Sequence, residues 1–213
     1  MVLGFTSGRI SNLKYYLRVG CTAIELNVGT IEGLEKLNTL FDYVSIHAPT
    51  GPFDYLQLDA LVKIVKPKVV VLHPDNIINP RLVNELGWPL ALENMDWRKS
   101  TGKTVEQLEK WFDIFPQAKM VLDLNHVFTN TADMSLASSL WQKFSDRVAH
   151  FHLSGFSGEN KPHDFLFKTG QDKIIAALPV KYLPIILEPD ISDLSPENIQ
   201  REYQYVTDKI NLL

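Results

Sequence analysis

Apolar positions in this chain fall into short β-branched runs separated by longer amphipathic stretches. The runs are Val2–Phe5, Ala23–Leu26, Tyr43–Ile46, Lys68–Leu72, Pro89–Leu92, Lys119–Leu122, Val148–Phe151 and Pro184–Leu187. Each is too short for a buried helix. Apolar residues on both faces predict strands of a parallel sheet covered from outside.

Helical spacing and start signals fill the intervals. Thr104 and Gln107 form a capping box ahead of Val105, Leu108 and Phe112. Asn79-Pro80 sets a cap before a proline at the first helical position, and Gly87 suits the exit. Ser195-Pro196-Glu197 opens a last helix in the same way. Ile31, Leu34, Leu37 and Phe41 mark one apolar stripe, and Leu58, Leu61, Val62 and Val65 another. The longest irregular stretches, Asn94–Lys103 and Ser154–Gly170, both follow strands.

Alternation of strand and helix eight times predicts an α/β fold, a compact (β/α)₈ TIM barrel forming a single domain over residues 1–213. The length of 213 residues gives about 27 per unit, near the lower limit for that architecture. A doubly wound open sheet is the alternative, but the turn after the first strand, Thr6-Ser7-Gly8, is a weak phosphate loop.

Composition narrows the class. Hydrophobic residues make up 45%, charged residues 22%, and mean hydropathy is −0.06, which excludes disordered, collagen-like and coiled-coil chains. No apolar run reaches the ~18 residues needed to cross a bilayer, so no membrane partner is expected. The opening MVLGFTSGRI has no secretory pattern, and the lone Cys21 has no disulfide partner; both predict a cytoplasmic protein. A net charge of −4 gives no global basic field for nucleic acid, which is a weakly supported partner. Oligomeric state is not legible. Nucleophile elbow, Walker loop, dinucleotide fingerprint and paired-cysteine motifs are absent.

The chemistry sits where the strands end. Six of the eight runs lead into a metal-competent side chain: IHAP at His47, LHPD at His73, LENM at Glu93, LDLNH at Asp123, HFHLS at His152 and LEPD at Glu188. In a (β/α)₈ barrel these positions converge on one mouth. An ionisable group ending an apolar run is costly to bury alone, and ligation to a cation removes that cost. Mixed imidazole and carboxylate ligands suit Zn²⁺, with Mn²⁺ as the alternative, rather than Ca²⁺.

These residues resemble the xylose isomerase-like TIM barrel superfamily, which includes endonuclease IV of AP endonuclease family 2 and many sugar isomerases and epimerases. The likeness spans essentially the whole chain. It implies that Glu93, Asp123, His152 and Glu188 hold a catalytic metal, with Asp123-Leu124-Asn125-His126 matching the family's Asp-x-x-His. His47 and His73 match histidines that, with Glu93, hold a second metal in endonuclease IV. His126 and His163 match two ligands of its third metal, so one to three ions are implied. Lys161 stands where the third-site Asp would be, and no Asp follows His152 closely. His163 and Gly170 fit a His…Gly pattern common across the superfamily.

Two functions follow. The favoured one is a dinuclear, zinc-type phosphoesterase resembling endonuclease IV, with Glu93 bridging two ions about 3.5–4 Å apart. The alternative is a mononuclear metal-dependent sugar isomerase or epimerase, with Glu93 or Glu188 as the proton-moving base. The substrate is accordingly a phosphorylated or sugar-like small molecule. Glu93, Glu188, His126 and His163 are the candidate catalytic residues, and Arg98 and Lys161 candidate substrate-binding cations. Arg98, Lys99 and Lys103 otherwise read as a solvated loop face, and Trp97, Phe128 and Phe156 as a pocket wall or loop packing. His150 shares strand parity with His152 and reads as a core histidine; Glu25, ending AIELN, faces either the mouth or a structural hydrogen bond.

Overall fold

A computed structural model describes residues 1–7, 12–27 and 34–213. The expected Thr6-Ser7-Gly8 turn and the Ile31 end of the first apolar stripe run into residues outside that set. Eight parallel strands, β1 (Leu3–Ser7), β2 (Ala23–Asn27), β3 (Tyr43–His47), β4 (Val69–Leu72), β5 (Leu90–Glu93), β6 (Lys119–Asp123), β7 (Val148–Leu153) and β8 (Ile185–Leu187), pair in sequence order. β1 also pairs with β8, so the sheet closes and the open-sheet alternative falls away.

The outward faces of the strands carry most of the core, among them Ile24, Val44, Ile46, Val70, Leu92, Leu122 and Phe151. A small interior layer of Val69, Val71, Ala91 and Val121 lies inside the barrel. Register between β6 and β7 shifts at Met120/Val121. Val148 thus pairs with Met120 on the outer face, while His150 and His152 align with Val121 and Asp123 and face inward. β1 and β2 approach so closely at Gly4 that a Cβ there would lie 1.8 Å from the Ala23 carbonyl oxygen.

The surrounding helices are α1 (Leu13–Val19), α2 (Leu37–Leu40), α3 (Tyr55–Val65), α4 (Pro80–Leu86), α5 (Val105–Ile114), α6 (Leu124–Asn130), α7 (Ser135–Phe144), α8 (Leu166–Thr169), α9 (Asp172–Ala176) and α10 (Pro196–Leu212). Caps fall where the sequence places them. Asn79 accepts from Leu82 N–H, Ser195 from Asn198 N–H, and Gly87 adopts φ 64° at the exit of α4. Thr104 accepts from Gln107 N–H, but the Gln107 side chain reaches Lys103 N–H, so the box closes one residue upstream. Leu58, Leu61, Val62 and Val65 of α3 all face the core. α10 packs against α1, α8 and α9. No helix among the described residues is long and apolar enough to cross a membrane.

Candidate metal centre

Strand ends bring the six expected side chains to one place. Glu93 is at its centre and has no solvent-exposed surface. Its Oε2 lies 3.1 Å from His47 Nε2 and 3.0 Å from His73 Nε2; its Oε1 lies 3.0 Å from His152 Nδ1. Glu188 Oε2 approaches the same His152 nitrogen at 3.3 Å. Two ligand sets result, His47/His73/Glu93 and Glu93/Asp123/His152/Glu188, each with its candidate atoms within 4.8 Å of one another. Asp123, His126 and His163 make a further group of the same kind.

The local chain explains the positions. Asp123 ends β6 and caps α6, its Oδ1 accepting from His126 N–H at 2.7 Å. That turn carries His126 to the rim. Asn94, just past β5, braces both: its side chain exchanges hydrogen bonds with the Asp123 backbone at 2.8 and 2.9 Å, and its carbonyl meets His126 Nδ1 at 2.8 Å. His47 Nδ1 is likewise satisfied by the Ala48 carbonyl at 2.7 Å. In both rings the backbone acceptor holds the Nδ1–H, leaving Nε2 to ligate. Asn125 pins the loop after β7 through the carbonyls of Ser154, Gly155 and Pro162, and so sets His163. Neither Asn94 nor Asn125 stands out in the sequence; a buried amide next to a ligand position is the only signal.

Electrostatics match a site built for a cation. Burial, reinforced by Glu93 and Glu188, pushes the Asp123 carboxyl up to about 7. Its Oδ2 is buried without a hydrogen-bond partner. Such an orphaned oxygen among carboxylates and imidazoles fits a divalent ion. Burial opposes charge on Glu93, yet His152 and the other imidazoles hold it well below the carboxylate range. Burial also opposes the His47 imidazolium, but Glu93 outweighs it and lifts that ring to about 9. Glu188, opposed by burial but drawn down by His152, falls to about 2, and burial drops His163 to about 4.

The two expected substrate-binding cations are held by carboxylates. Lys161 Nζ lies 2.6 Å from Asp193 Oδ2 and 3.2 Å from Asp164 Oδ1. Arg98 pairs with Asp96 and stacks over Trp97, and Lys99 pairs with Asp75 at 2.9 Å. Charges expected to be open to a ligand are thus partnered within the protein. Trp97, Phe128 and Phe156 form one aromatic group, with ring centroids 5.4 Å apart for Trp97–Phe156 and 6.3 Å for Phe128–Phe156. His150 is a satisfied interior histidine, bonded to Tyr43 and facing Glu25. Cys21 is buried and free, its thiol pushed far up by burial.

The closed barrel is shared with solved enzymes. No protein-family model matches the sequence, and no curated protein matches it by sequence. The structure is similar to 3-keto-D-glucoside 4-epimerase from E. coli, at 12% identity and TM-score 0.65, over 98% of this chain and 99% of that one. It is equally similar to D-psicose 3-epimerase from Clostridium cellulolyticum H10, at 12% identity and TM-score 0.64, over 100% and 99%. The shared fold is a closed (β/α)₈ barrel. Phosphoribosyl anthranilate isomerase from Thermotoga maritima also aligns, at 11% identity and TM-score 0.58, over 100% of both chains. At such identities the likeness reaches the fold and not the reaction.

Proposed function

We propose that this protein is a divalent-metal-dependent isomerase or epimerase of a sugar-like substrate. The observation that carries the reading is the Glu93/Asp123/His152/Glu188 set at the barrel mouth, on a fold shared with sugar epimerases. A bound Mn²⁺ or Zn²⁺ would polarise adjacent substrate oxygens and acidify the neighbouring C–H. Glu188 suits the base: its side chain is 16% exposed, against 0% for Glu93, and it is ionised at neutral pH. It takes the proton from the carbon beside the carbonyl. The proton then returns to the former carbonyl carbon while the hydroxyl proton crosses between the two oxygens, giving an isomer; inversion at the same carbon would need a second acid on the opposite face. Glu93, held by three imidazoles, serves as ligand. His163 is neutral at pH 7 with Nδ1 at 3.0 Å from Ser154 Oγ, and orients a substrate hydroxyl through its other nitrogen. The partnered state of Arg98, Lys99 and Lys161 favours a neutral sugar over a phosphoester.

One observation favours a second reading. Glu93 turns one oxygen to His47 and His73 and the other to His152, the arrangement of a bridging carboxylate in a dinuclear phosphoesterase. The test is metal counting on chain purified without chelator, with a ketose panel and a generic phosphodiester assayed in parallel. Ketose turnover that needs metal and is lost in Glu188→Gln is expected. The double variant His47→Ala/His73→Ala should retain the ion of the four-ligand set and lose mainly substrate affinity. Phosphodiester cleavage without ketose turnover, with one ion fewer in the double variant, overturns the isomerase reading in favour of the dinuclear one.

A further inference from the structure

At the end of the barrel opposite the ligands, the exits of α4 and α5 leave a groove of about 550 Å³ beside the starts of β4, β5 and β6. That volume is ordinary for a small-molecule site. Its floor is apolar, built from the buried side chains of Val83, Trp88, Leu90 and Phe115. The floor is also fixed in place. Trp88 Nε1 donates to Asp59 Oδ1 at 3.1 Å, and Phe115 stacks on Trp111 with ring centroids 6.3 Å apart. Two cations stand on the rim, Lys68 just ahead of β4 and Lys119 opening β6. Neither ammonium has a hydrogen-bond or ion-pair partner among the described residues. No carboxylate side chain lines the groove.

We propose that this groove binds one small monocarboxylate with an apolar body, of the aryl or short acyl class, its carboxylate between Lys68 and Lys119 and its body on Trp88 and Phe115. Charge complementarity carries the choice of ligand. The chain has 25 acidic residues against 21 basic, so a groove with two open cations and no acid is set apart from its surroundings. At the mouth, Arg98, Lys99 and Lys161 are all held by carboxylates. The neighbouring groove along α5 is lined by Glu106, Glu109, Asp113 and Asp146. Strands β4 and β6 flank β5, which sets their starts about 10 Å apart, a span two long side chains can close on one carboxylate. A bare inorganic anion would leave the apolar floor wet, and a neutral hydrocarbon would leave both cations unused. Because the floor is ordered in advance, binding costs little side-chain entropy. The site shares no residue with the ligand sets and stands apart from the metal reading.

The test uses the full chain in chelator, so that no ion at the mouth can hold a carboxylate. The probe is 2-naphthoate, with binding read by equilibrium dialysis. One naphthoate per chain should bind saturably. An exposed ion pair is worth about threefold in affinity, so Lys68→Ala/Lys119→Ala should weaken binding about 10-fold. Both lysines are exposed, and the double variant keeps the fold. Naphthalene-2-methanol, the uncharged counterpart, should bind wild type and double variant alike, about 10-fold more weakly than naphthoate binds wild type. At about 1 M salt, where charges are screened within about 3 Å, the gap between wild type and variant for naphthoate should close. Amide shifts in ¹H–¹⁵N spectra should gather around Leu90 and Ala118 and spare Glu93 and His126. Absent saturable binding, equal naphthoate affinity in the double variant, or shifts centred on the mouth would overturn the proposal. Inorganic phosphate competing as strongly as naphthoate would overturn it too, by assigning the lysines to a bare anion.

Discussion

Replacing Asp123 with Asn should stabilise the metal-free protein while weakening its response to metal. Asp123 Oδ1 caps α6 through His126 N–H at 2.7 Å, a role Asn fills equally well. Oδ2 has no hydrogen-bond partner, and an amide there supplies a donor where Glu93 and Glu188 contribute negative charge. The magnitude follows from the carboxyl moving from 3.8 to about 7 on folding, net of the attraction from His126 and His152. That displacement is worth about 4 kcal/mol to order of magnitude. The unfolded carboxyl ionises first as pH rises, so stability falls between about pH 4 and 7 and the full penalty stands above 7. In chelator, Asp123→Asn should therefore melt higher than wild type at pH 8, by on the order of 10 °C for a chain of this size. Near pH 3.5 the two should coincide. Adding Mn²⁺ or Zn²⁺ should raise the wild-type midpoint more than the variant's. A variant no more stable than wild type at pH 8, or one with the same advantage at acid pH, would refute the reasoning.

Other expectations concern the scaffold. Glu202 on α10 accepts from Leu166 N–H at 2.9 Å and Phe167 N–H at 3.1 Å, and burial raises its carboxyl from 4.5 to about 7. Glu202→Gln should be less stable than wild type at pH 4, by about 1 kcal/mol for the lost acceptor, and more stable at pH 8, since the raised carboxyl costs wild type about 3 kcal/mol there; denaturant titrations at the two pH values should show the crossover. Gly4→Ala sets a Cβ 1.8 Å from the Ala23 carbonyl oxygen and must push β1 from β2; a loss on the order of 3 kcal/mol or more is expected from urea midpoints.

Barrel and mouth were legible because the parallel sheet demands apolar runs and its active end demands polar punctuation. The punctuation also hid the strand ends. β3, β5 and β6 run one residue past their apolar stretch, into His47, Glu93 and Asp123, because the inward position of a strand stays in register whatever side chain it bears. Pro89 and Pro184, read as strand starts, fall just outside β5 and β8; neither can donate to the ladder. Helix α8, inside the stretch read as irregular, is only Leu166–Thr169, too short for periodicity to register. The 3.1 Å approach of Glu25 to His152 was illegible for another reason: it joins β2 to β7, and its geometry depends on a register shift with no local sequence signature.

Asp123 also bears on which ions the mouth would accept. Because α6 occupies its Oδ1, one oxygen alone can be offered to an ion, and Glu93 divides its two oxygens between opposite histidine groups. Neither carboxylate is then free to clasp a single cation with both oxygens. Large, hard ions such as Ca²⁺, which gather six to eight oxygens and often chelate a carboxylate through both, find too few here. Smaller ions content with imidazole and single-oxygen donors would be better served. Selectivity of this kind would be fixed by a helix cap, and would relax only if α6 were released from the strand before it.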